Sequence, residues 1–309
     1  VERGLAWLAQ KQAQDGAFAQ RGYCNHAGIT ALAGIAFMQA GNLPGRGKYG
    51  KEVQACLDFV LNSCTESGLI ASDMTQGPMY GHGFATLFLA EVYGMTGDES
   101  VKEKLQKAVK LIQKTQNREG GWRYQPVPYD ADISVTICQV MALRAARDAG
   151  IKVEKEVIDK SIQYVKNCQS PGDGGFSYQP SMRGHGSGFG RTAAGVASLY
   201  YAGEFEKGAR QFELHRTVNP DDVENAVWHF LCVARGGSPA KAREALLPVG
   251  PDARVPMREV YQMFGGTRTP EQVLSAAGSQ PSAMHGGLQC AWWAPISTSA
   301  ARSRQRHTR

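Results

Sequence analysis

The chain has 309 residues, of which 42% are hydrophobic and 20% are charged, so it can bury a sizeable core and is long enough for two domains. Its formal charge is +6, but Arg302, Arg304, Arg306 and Arg309 supply four of these charges, and the nearly neutral remainder argues against a nucleic-acid-binding surface. No run of about 18 apolar residues occurs, so no membrane-spanning segment is predicted.

The predicted elements alternate along the chain between two kinds of helix. Helices with charge on one face only are expected to lie outside, and helices that are apolar almost all round are expected to be enclosed by others. After a first outer helix from Arg3, inner helices are predicted at 27–41, 83–95, 133–150 and 191–203, and outer helices at 51–64, 100–116 and 154–169. Glycine-rich turns are predicted at 16–26, 65–80, 117–131 and 170–189. Residues 1–203 are therefore predicted to be almost wholly helical, in about four outer–inner pairs.

A spaced pattern recurs where each outer helix ends. In its clearest copy a basic residue is followed by a small residue, an apolar or aromatic pair, Gln116, Gly120 and Trp122. The four copies open at Arg3, Ala55, Lys107 and Lys160. The steps of 52, 52 and 53 residues indicate an array of supersecondary units, none of which can bury its apolar face alone.

This pattern resembles the QW motif of the prenyltransferase and squalene-cyclase repeat family over roughly residues 1 to 203. The resemblance is strongest at 107–122 and weakest at 55–70. It implies an α/α toroid, in which outer helices end in the motif and inner helices line a central cavity. One such scaffold hosts many chemistries, so the resemblance bears more on fold than on activity.

Polar residues recur at the predicted starts of the inner helices. His26, His82, Asp132 and Gly188 each precede a threonine by four residues, and this spacing places both residues on one helix face. If the toroid forms, the two histidines and Asp132 are expected at one rim of a common cavity. The aromatic residues nearest to this rim in the sequence are Tyr80, Tyr129 and Phe189.

Two interpretations of Asp132 remain open. As a structural residue it caps the helix that follows, by accepting hydrogen bonds from backbone N–H groups, and the histidines are likewise packed against turns. The family resemblance implies a chemical role, because class II terpene cyclases carry Asp-x-Asp-Asp at the corresponding inner-helix start and its central acid protonates an alkene or epoxide. Asp130 and Asp132 match the first and central acids, but Ile133 replaces the third. Such an acid needs its proton held in an apolar cavity.

Neither a metal nor a cofactor is predicted. Prenyltransferase members of the family hold zinc with Asp, Cys and His, a trio that cannot be placed on this sequence, and the thioester motif Gly-Cys-Gly-Glu-Gln does not occur. The seven cysteines form no CxxC pair, and most are predicted to be buried free thiols. The cysteine content therefore leaves the cellular compartment undetermined.

After residue 203 the pattern changes. A fifth copy of the 52-residue pattern would be expected near residue 212, but it is absent. The segment there resembles the second half of a tetratricopeptide repeat, and a looser copy of that second pattern follows it. Residues 204–277 are predicted to form two such helical hairpins, with two plain amphipathic hairpins as the alternative. Residues 278–309 lack periodicity and are predicted to be a disordered basic tail.

Two functions of different classes follow from these patterns. The first, which the incomplete motifs and few repeats favour, is a binding or scaffolding protein whose partner is a hydrophobic small molecule or another protein. The second is a class II cyclase-like enzyme acting on an isoprenoid, with Asp132 as general acid and Asp130 beside it. A closed, aromatic-lined pocket around Asp132 would favour the enzyme, because a cationic intermediate needs π faces and the exclusion of water.

Overall fold

The computed structural model describes residues 2–18, 26–72, 77–201, 205–217, 220–252 and 256–277. Across these residues the chain is helical, and its extended pairing is limited to isolated backbone bridges. No helix in the described part of the chain has the length and apolarity that crossing a membrane requires. The predicted tail at 278–309 lies outside the described residues.

The described residues up to 201 contain eight α-helices in four outer–inner pairs, which confirms the predicted all-α fold. The outer helices are α1 (Glu2–Lys11), α3 (Gly50–Asn62), α5 (Glu99–Lys114) and α7 (Lys155–Asn167). The inner helices are α2 (Ala27–Gln39), α4 (Met79–Thr96), α6 (Ile133–Asp148) and α8 (Phe189–Tyr201), and a 3₁₀ helix (Pro180–His185) precedes α8. Each inner helix packs against the next, and α3, α5 and α7 each pack against the inner helix that precedes them.

The two kinds of helix form for different reasons. The outer helix α5 is amphipathic: it buries Val101, Leu105, Ala108 and Ile112 at steps of three or four residues, and Asp98 caps its start. The inner helices bury residues nearly all round and use small residues where they meet. A Cβ on Gly28 of α2 would lie 2.6 Å from the Cα of Gly81 in α4, so the two backbones are in direct contact there.

The repeat step has a structural cause at the turns. Gly16, Gly68 and Gly120 have positive φ angles of 85°, 91° and 100°. A Cβ at these positions would lie only 2.2, 2.4 and 2.1 Å, respectively, from a backbone carbonyl oxygen of the next outer helix. Those carbonyls belong to Ala55, Lys107 and Lys160. Each turn therefore contacts the residue that opens the next copy, and glycine is required both for its φ angle and for this close approach.

The glutamine of the pattern connects the same two repeats. The side-chain amide of Gln116 donates hydrogen bonds to the carbonyl of Gly120 at 2.9 Å and to that of Val157 at 2.8 Å. Gln12 bridges its own turn and the carbonyl of Glu52 in the same way. Because an amide has two N–H donors, one glutamine satisfies a carbonyl in its own turn and a carbonyl in the next outer helix.

The rest of the described chain forms a second compact unit. The chain divides into Glu2–Ala202 and a unit that begins at Gly203. The helices of the second unit are α9 (Phe205–His215), α10 (Val223–Gly236), α11 (Pro239–Glu244), α12 (Met257–Phe264) and α13 (Pro270–Ala277). Helix α9 packs on α10, where the rings of Phe212 and Trp228 stack with centroids 6.3 Å apart. The tetratricopeptide character of these hairpins stays a prediction.

Candidate functional site

Asp132 is the N-cap of α6. Its Oδ1 accepts hydrogen bonds from the backbone N–H groups of Ser134 at 2.8 Å and Val135 at 2.9 Å. The residue is fully buried, and its own N–H donates to the carbonyl of Trp122 at 2.9 Å. Its second carboxyl oxygen, Oδ2, has no hydrogen-bond partner among the described residues. Capping therefore accounts for one oxygen of Asp132 and not for the other.

Arg123 lies against both aspartates. Its guanidinium pairs with Asp130, and its Nε lies 3.9 Å from Oδ2 of Asp132. The side-chain amide of Gln179 donates to Oδ1 of Asp130 at 3.0 Å and to the carbonyl of Ala131 at 2.8 Å. Asp130 is thus bound through both oxygens, whereas Asp132 keeps one buried oxygen that faces a cation without a hydrogen bond.

Three tyrosines surround these charges. The guanidinium carbon of Arg123 lies 5.2 Å from the ring centroid of Tyr124 and 5.9 Å from that of Tyr178, within cation–π range. The hydroxyls of Tyr124 and Tyr178 are hydrogen-bonded to each other, and the Tyr80 ring lies 6.0 Å from the Tyr124 ring between centroids. We call the following six residues the tyrosine–aspartate cluster: Tyr80, Arg123, Tyr124, Asp130, Asp132 and Tyr178.

Burial dominates the ionisation of the cluster. It raises the pKa of the Asp132 carboxyl above its usual value, against the opposing effects of the Val135 N–H and the Tyr178 hydroxyl. That hydroxyl is near enough to affect the pKa of Asp132 but lies outside hydrogen-bond geometry with Oδ2. Burial, with a smaller contribution from Asp132, also raises the pKa of Tyr80 to about 12. Tyr80 is therefore a hydrogen-bonding hydroxyl at neutral pH, and not a base.

Each of the inner helices α2, α4 and α6 leaves one stripe partly accessible. Before the exposed last turn of α4, its accessible positions are Tyr80, Phe84, Leu87 and Glu91, and every residue between them is buried. These steps of four, three and four residues follow a single helix face. Because neighbouring inner helices and the outer helices cover the other sides, this face is the one that the surrounding helices leave uncovered.

The three stripes together form an apolar surface. The name inner face is used below for Ile29, Leu32, Ala36, Phe84, Leu87, Ile137 and Met141. At one end, Tyr80 and Ser134 connect the inner face to the tyrosine–aspartate cluster. At the other end lies Glu91, whose pKa burial raises, with the Arg144–Asp148 ion pair on α6.

The two histidines of the predicted rim have different positions. Nδ1 of His26 accepts from the N–H groups of Gly28 at 3.1 Å and Ile29 at 3.4 Å, so His26 caps α2. His82 lies in the core and not at the predicted rim, because α4 begins at Met79, about one turn earlier than expected. Its Nδ1 accepts from the N–H of Ile70 at 3.1 Å.

The structure does not bring the other two predicted aromatics into the cluster. Tyr129 and Phe189 are 90% and 73% exposed, and within the described residues neither side chain bonds to the aspartates. Tyr80 is the predicted aromatic that does belong to the cluster, through its contact with Tyr124. In the described part of the chain no three His, Cys, Asp or Glu side chains are arranged to hold a metal.

Four residues of the site, Arg123, Tyr124, Tyr178 and Gln179, were not predicted from the sequence. A signal was present, because both tyrosines stand two residues after the aromatic of their repeat and both are followed by Gln-Pro. Their carbonyls have equivalent roles as well. That of Tyr124 accepts from the N–H of Met79 at 3.1 Å, and that of Tyr178 accepts from the N–H of Ile133 at 3.0 Å, so each turn binds the start of the preceding inner helix.

Comparison with known families agrees with this architecture. The model of the prenyltransferase alpha-alpha toroid domain matches residues 6–231. The chain belongs to this family. The resemblance predicted from the sequence ended at residue 203, but the match with the family model continues past it. The match also covers α9 and most of α10. No curated protein matches the chain. Because toroids host different chemistries, the function of a toroid depends on the residues of its site.

Proposed function

We propose that this toroid binds a hydrophobic small molecule on its inner face and is not a terpene cyclase. The observation that carries the proposal is the alignment of accessible apolar residues on α2, α4 and α6, three helices that pack side by side. Folded proteins seldom leave contiguous apolar surface accessible without a binding role. Apart from Leu32 these residues are only partly exposed, and this favours a small flexible ligand over a protein surface.

The charges of the cluster argue against cyclase chemistry. A carbocation intermediate would need the faces of Tyr124 and Tyr178, but the Arg123 guanidinium already lies against both rings. Two unit positive charges about 6 Å apart repel by roughly 3 kcal/mol at an effective dielectric constant of about 20. The Asp130 carboxylate, which is paired with Arg123, offsets part of this repulsion, and the guanidinium still weakens the stabilisation that the two rings would give a carbocation.

The hydrogen bonds of Asp132 favour the same conclusion. A general acid must hold its proton until the substrate arrives, yet Oδ1 accepts from two backbone N–H groups, and such bonds favour the ionised carboxylate. An acid role for Asp132 is the second candidate function. It is supported by the burial that raises the pKa of this carboxyl.

Leu32→Glu is expected to weaken binding of an apolar ligand, such as a C30 hydrocarbon, by at least about tenfold, because the ligand would have to desolvate a carboxylate that has no partner. Leu32 lies on the inner face and is 44% exposed, so the free protein should tolerate the substitution. Equilibrium binding measured by fluorescence competition is the test.

Leu214→Glu is the matched control, since Leu214 is 51% exposed but belongs to α9 of the second compact unit and not to the helices that carry the inner face. It should leave the dissociation constant unchanged. Equal weakening by both substitutions would show that the ligand does not bind at the inner face.

A further inference from the structure

We infer that the ligand of the inner face is an uncharged lipid alcohol whose hydroxyl donates a hydrogen bond to the tyrosine–aspartate cluster. This rests on the proposed function and specifies the chemistry of the ligand head. The cluster adjoins one end of the inner face through Tyr80, which begins the accessible stripe of α4 and also contacts Tyr124. A chain lying along Phe84 and Leu87 therefore brings its head to Tyr124.

The charge balance of the cluster selects against charged heads. Asp130 and Asp132 supply two negative charges and Arg123 supplies one positive charge, so a phosphate or carboxylate head would meet a net negative site. Arg123 cannot serve as an anion site, because it is paired with Asp130 and lies 3.9 Å from Oδ2 of Asp132. An ammonium head is disfavoured as well, because Asp130 is paired with Arg123, Oδ2 of Asp132 is buried, and the Arg123 guanidinium already lies against the Tyr124 and Tyr178 rings.

The hydrogen bonds of the cluster select a donor among the uncharged heads. A carboxylate can only accept, and Oδ2 of Asp132 lacks a hydrogen-bond partner in the described part of the chain. This buried acceptor attracts the hydroxyl proton of the nearby Tyr178. Either hydroxyl of the Tyr124–Tyr178 pair can be the donor, and with the Tyr178 proton directed toward Oδ2 the Tyr178 oxygen accepts the proton of Tyr124. The exposed end of this series is the Tyr124 oxygen, which presents a free lone pair to the ligand.

The length of the inner face determines the chain length of a suitable probe ligand. The stripe of α4 runs from Tyr80 to Glu91, a separation of eleven residue steps that spans about 16 Å at 1.5 Å per step. Probes with a twelve-carbon chain and different heads are therefore suitable: dodecan-1-ol, its methyl ether, dodecanoate and dodecylamine. The alcohol and the ether share the chain and the oxygen, and only the alcohol can donate.

The test is calorimetric or competition binding of these four probes to the full chain. The alcohol should bind about tenfold tighter than the ether, the increment of one hydrogen bond that is shielded from water. The two charged probes should bind more weakly than the ether. Tyr124→Phe keeps the ring that contacts Arg123 but removes the hydroxyl oxygen that accepts from the ligand. The affinity for the alcohol should therefore fall to that for the ether, and the affinity for the ether should stay unchanged. Tyr93→Phe, on α4 outside the cluster, should keep the wild-type ratio.

The outcomes separate this inference from the proposed function. Equal binding of alcohol and ether, with both weakened by Leu32→Glu, would retain the inner face as a binding site and overturn the alcohol. Preference for dodecanoate or dodecylamine would also overturn it. If none of the probes and no apolar hydrocarbon binds, the proposed function fails and this inference fails with it.

Discussion

Gly120→Ala should lower the free energy of unfolding by roughly 3 to 4 kcal/mol, the sum of left-handed backbone strain and overpacking. Gly120 has φ +100°, and an added Cβ would lie 2.1 Å from the carbonyl oxygen of Lys160. That oxygen belongs to helix backbone, so it cannot move aside as a flexible side chain could. Urea unfolding followed by circular dichroism measures the change.

Gly150→Ala is the control that separates strain from contact. Gly150 has φ +87°, but no described atom lies within 4 Å of the added Cβ, so strain alone should cost about 1 kcal/mol. If the two substitutions prove equally costly, the contact between turn and next helix is not what sets the repeat step.

The second large effect is a loss of stability in mild acid caused by His82. Burial lowers the pKa of His82 from 6.5 to about 4, and the unfolded chain has the ordinary value. Above pH 6.5 the imidazole is neutral in both states and has no effect. As the pH falls from 6.5 to about 4, the unfolded state binds a proton that the folded state does not, so His82 should cost about 3 kcal/mol of stability across that interval.

The control is the His82→Asn variant. Its side chain does not titrate, and its amide oxygen can replace Nδ1 as the acceptor for the N–H of Ile70. The free energy of unfolding of the wild type should fall more steeply between pH 6.5 and pH 4 than that of the variant. Parallel pH profiles for the two proteins would show that His82 is protonated in the folded state and is not enclosed in the core.

The repeats could be predicted from sequence because their cause is periodic. Each turn glycine contacts the residue that opens the next copy, so the chain has to keep both its step and its glycine, and the pattern is visible without a structure. The start of α4 could not be predicted in this way. The N–H of Met79 donates to Tyr124, a residue far along the chain, so a non-local contact sets where that helix begins.

The same difference between local and non-local signals separates the site residues that could be predicted from those that could not. Asp130 and Asp132 were found because a motif resemblance and the capping preference of aspartate are both local signals. Arg123 and Tyr178 were missed because their role depends on how two turns, one repeat apart, fold toward each other. The family resemblance predicted a cavity lined by inner helices but not its residues, because α2, α4 and α6 are apolar nearly all round and only packing shows which residues stay accessible.

Asp132→Asn tests most directly the claim that this toroid binds and does not catalyse. Asparagine is nearly as good an N-cap as aspartate, so stability should change by only about 0.5 kcal/mol. The wild type and the variant should bind a C30 hydrocarbon with the same dissociation constant, and neither should convert squalene-type or diphosphate substrates. Conversion by the wild type that falls roughly a hundredfold or more in a folded Asp132→Asn variant would contradict the account and make Asp132 a general acid.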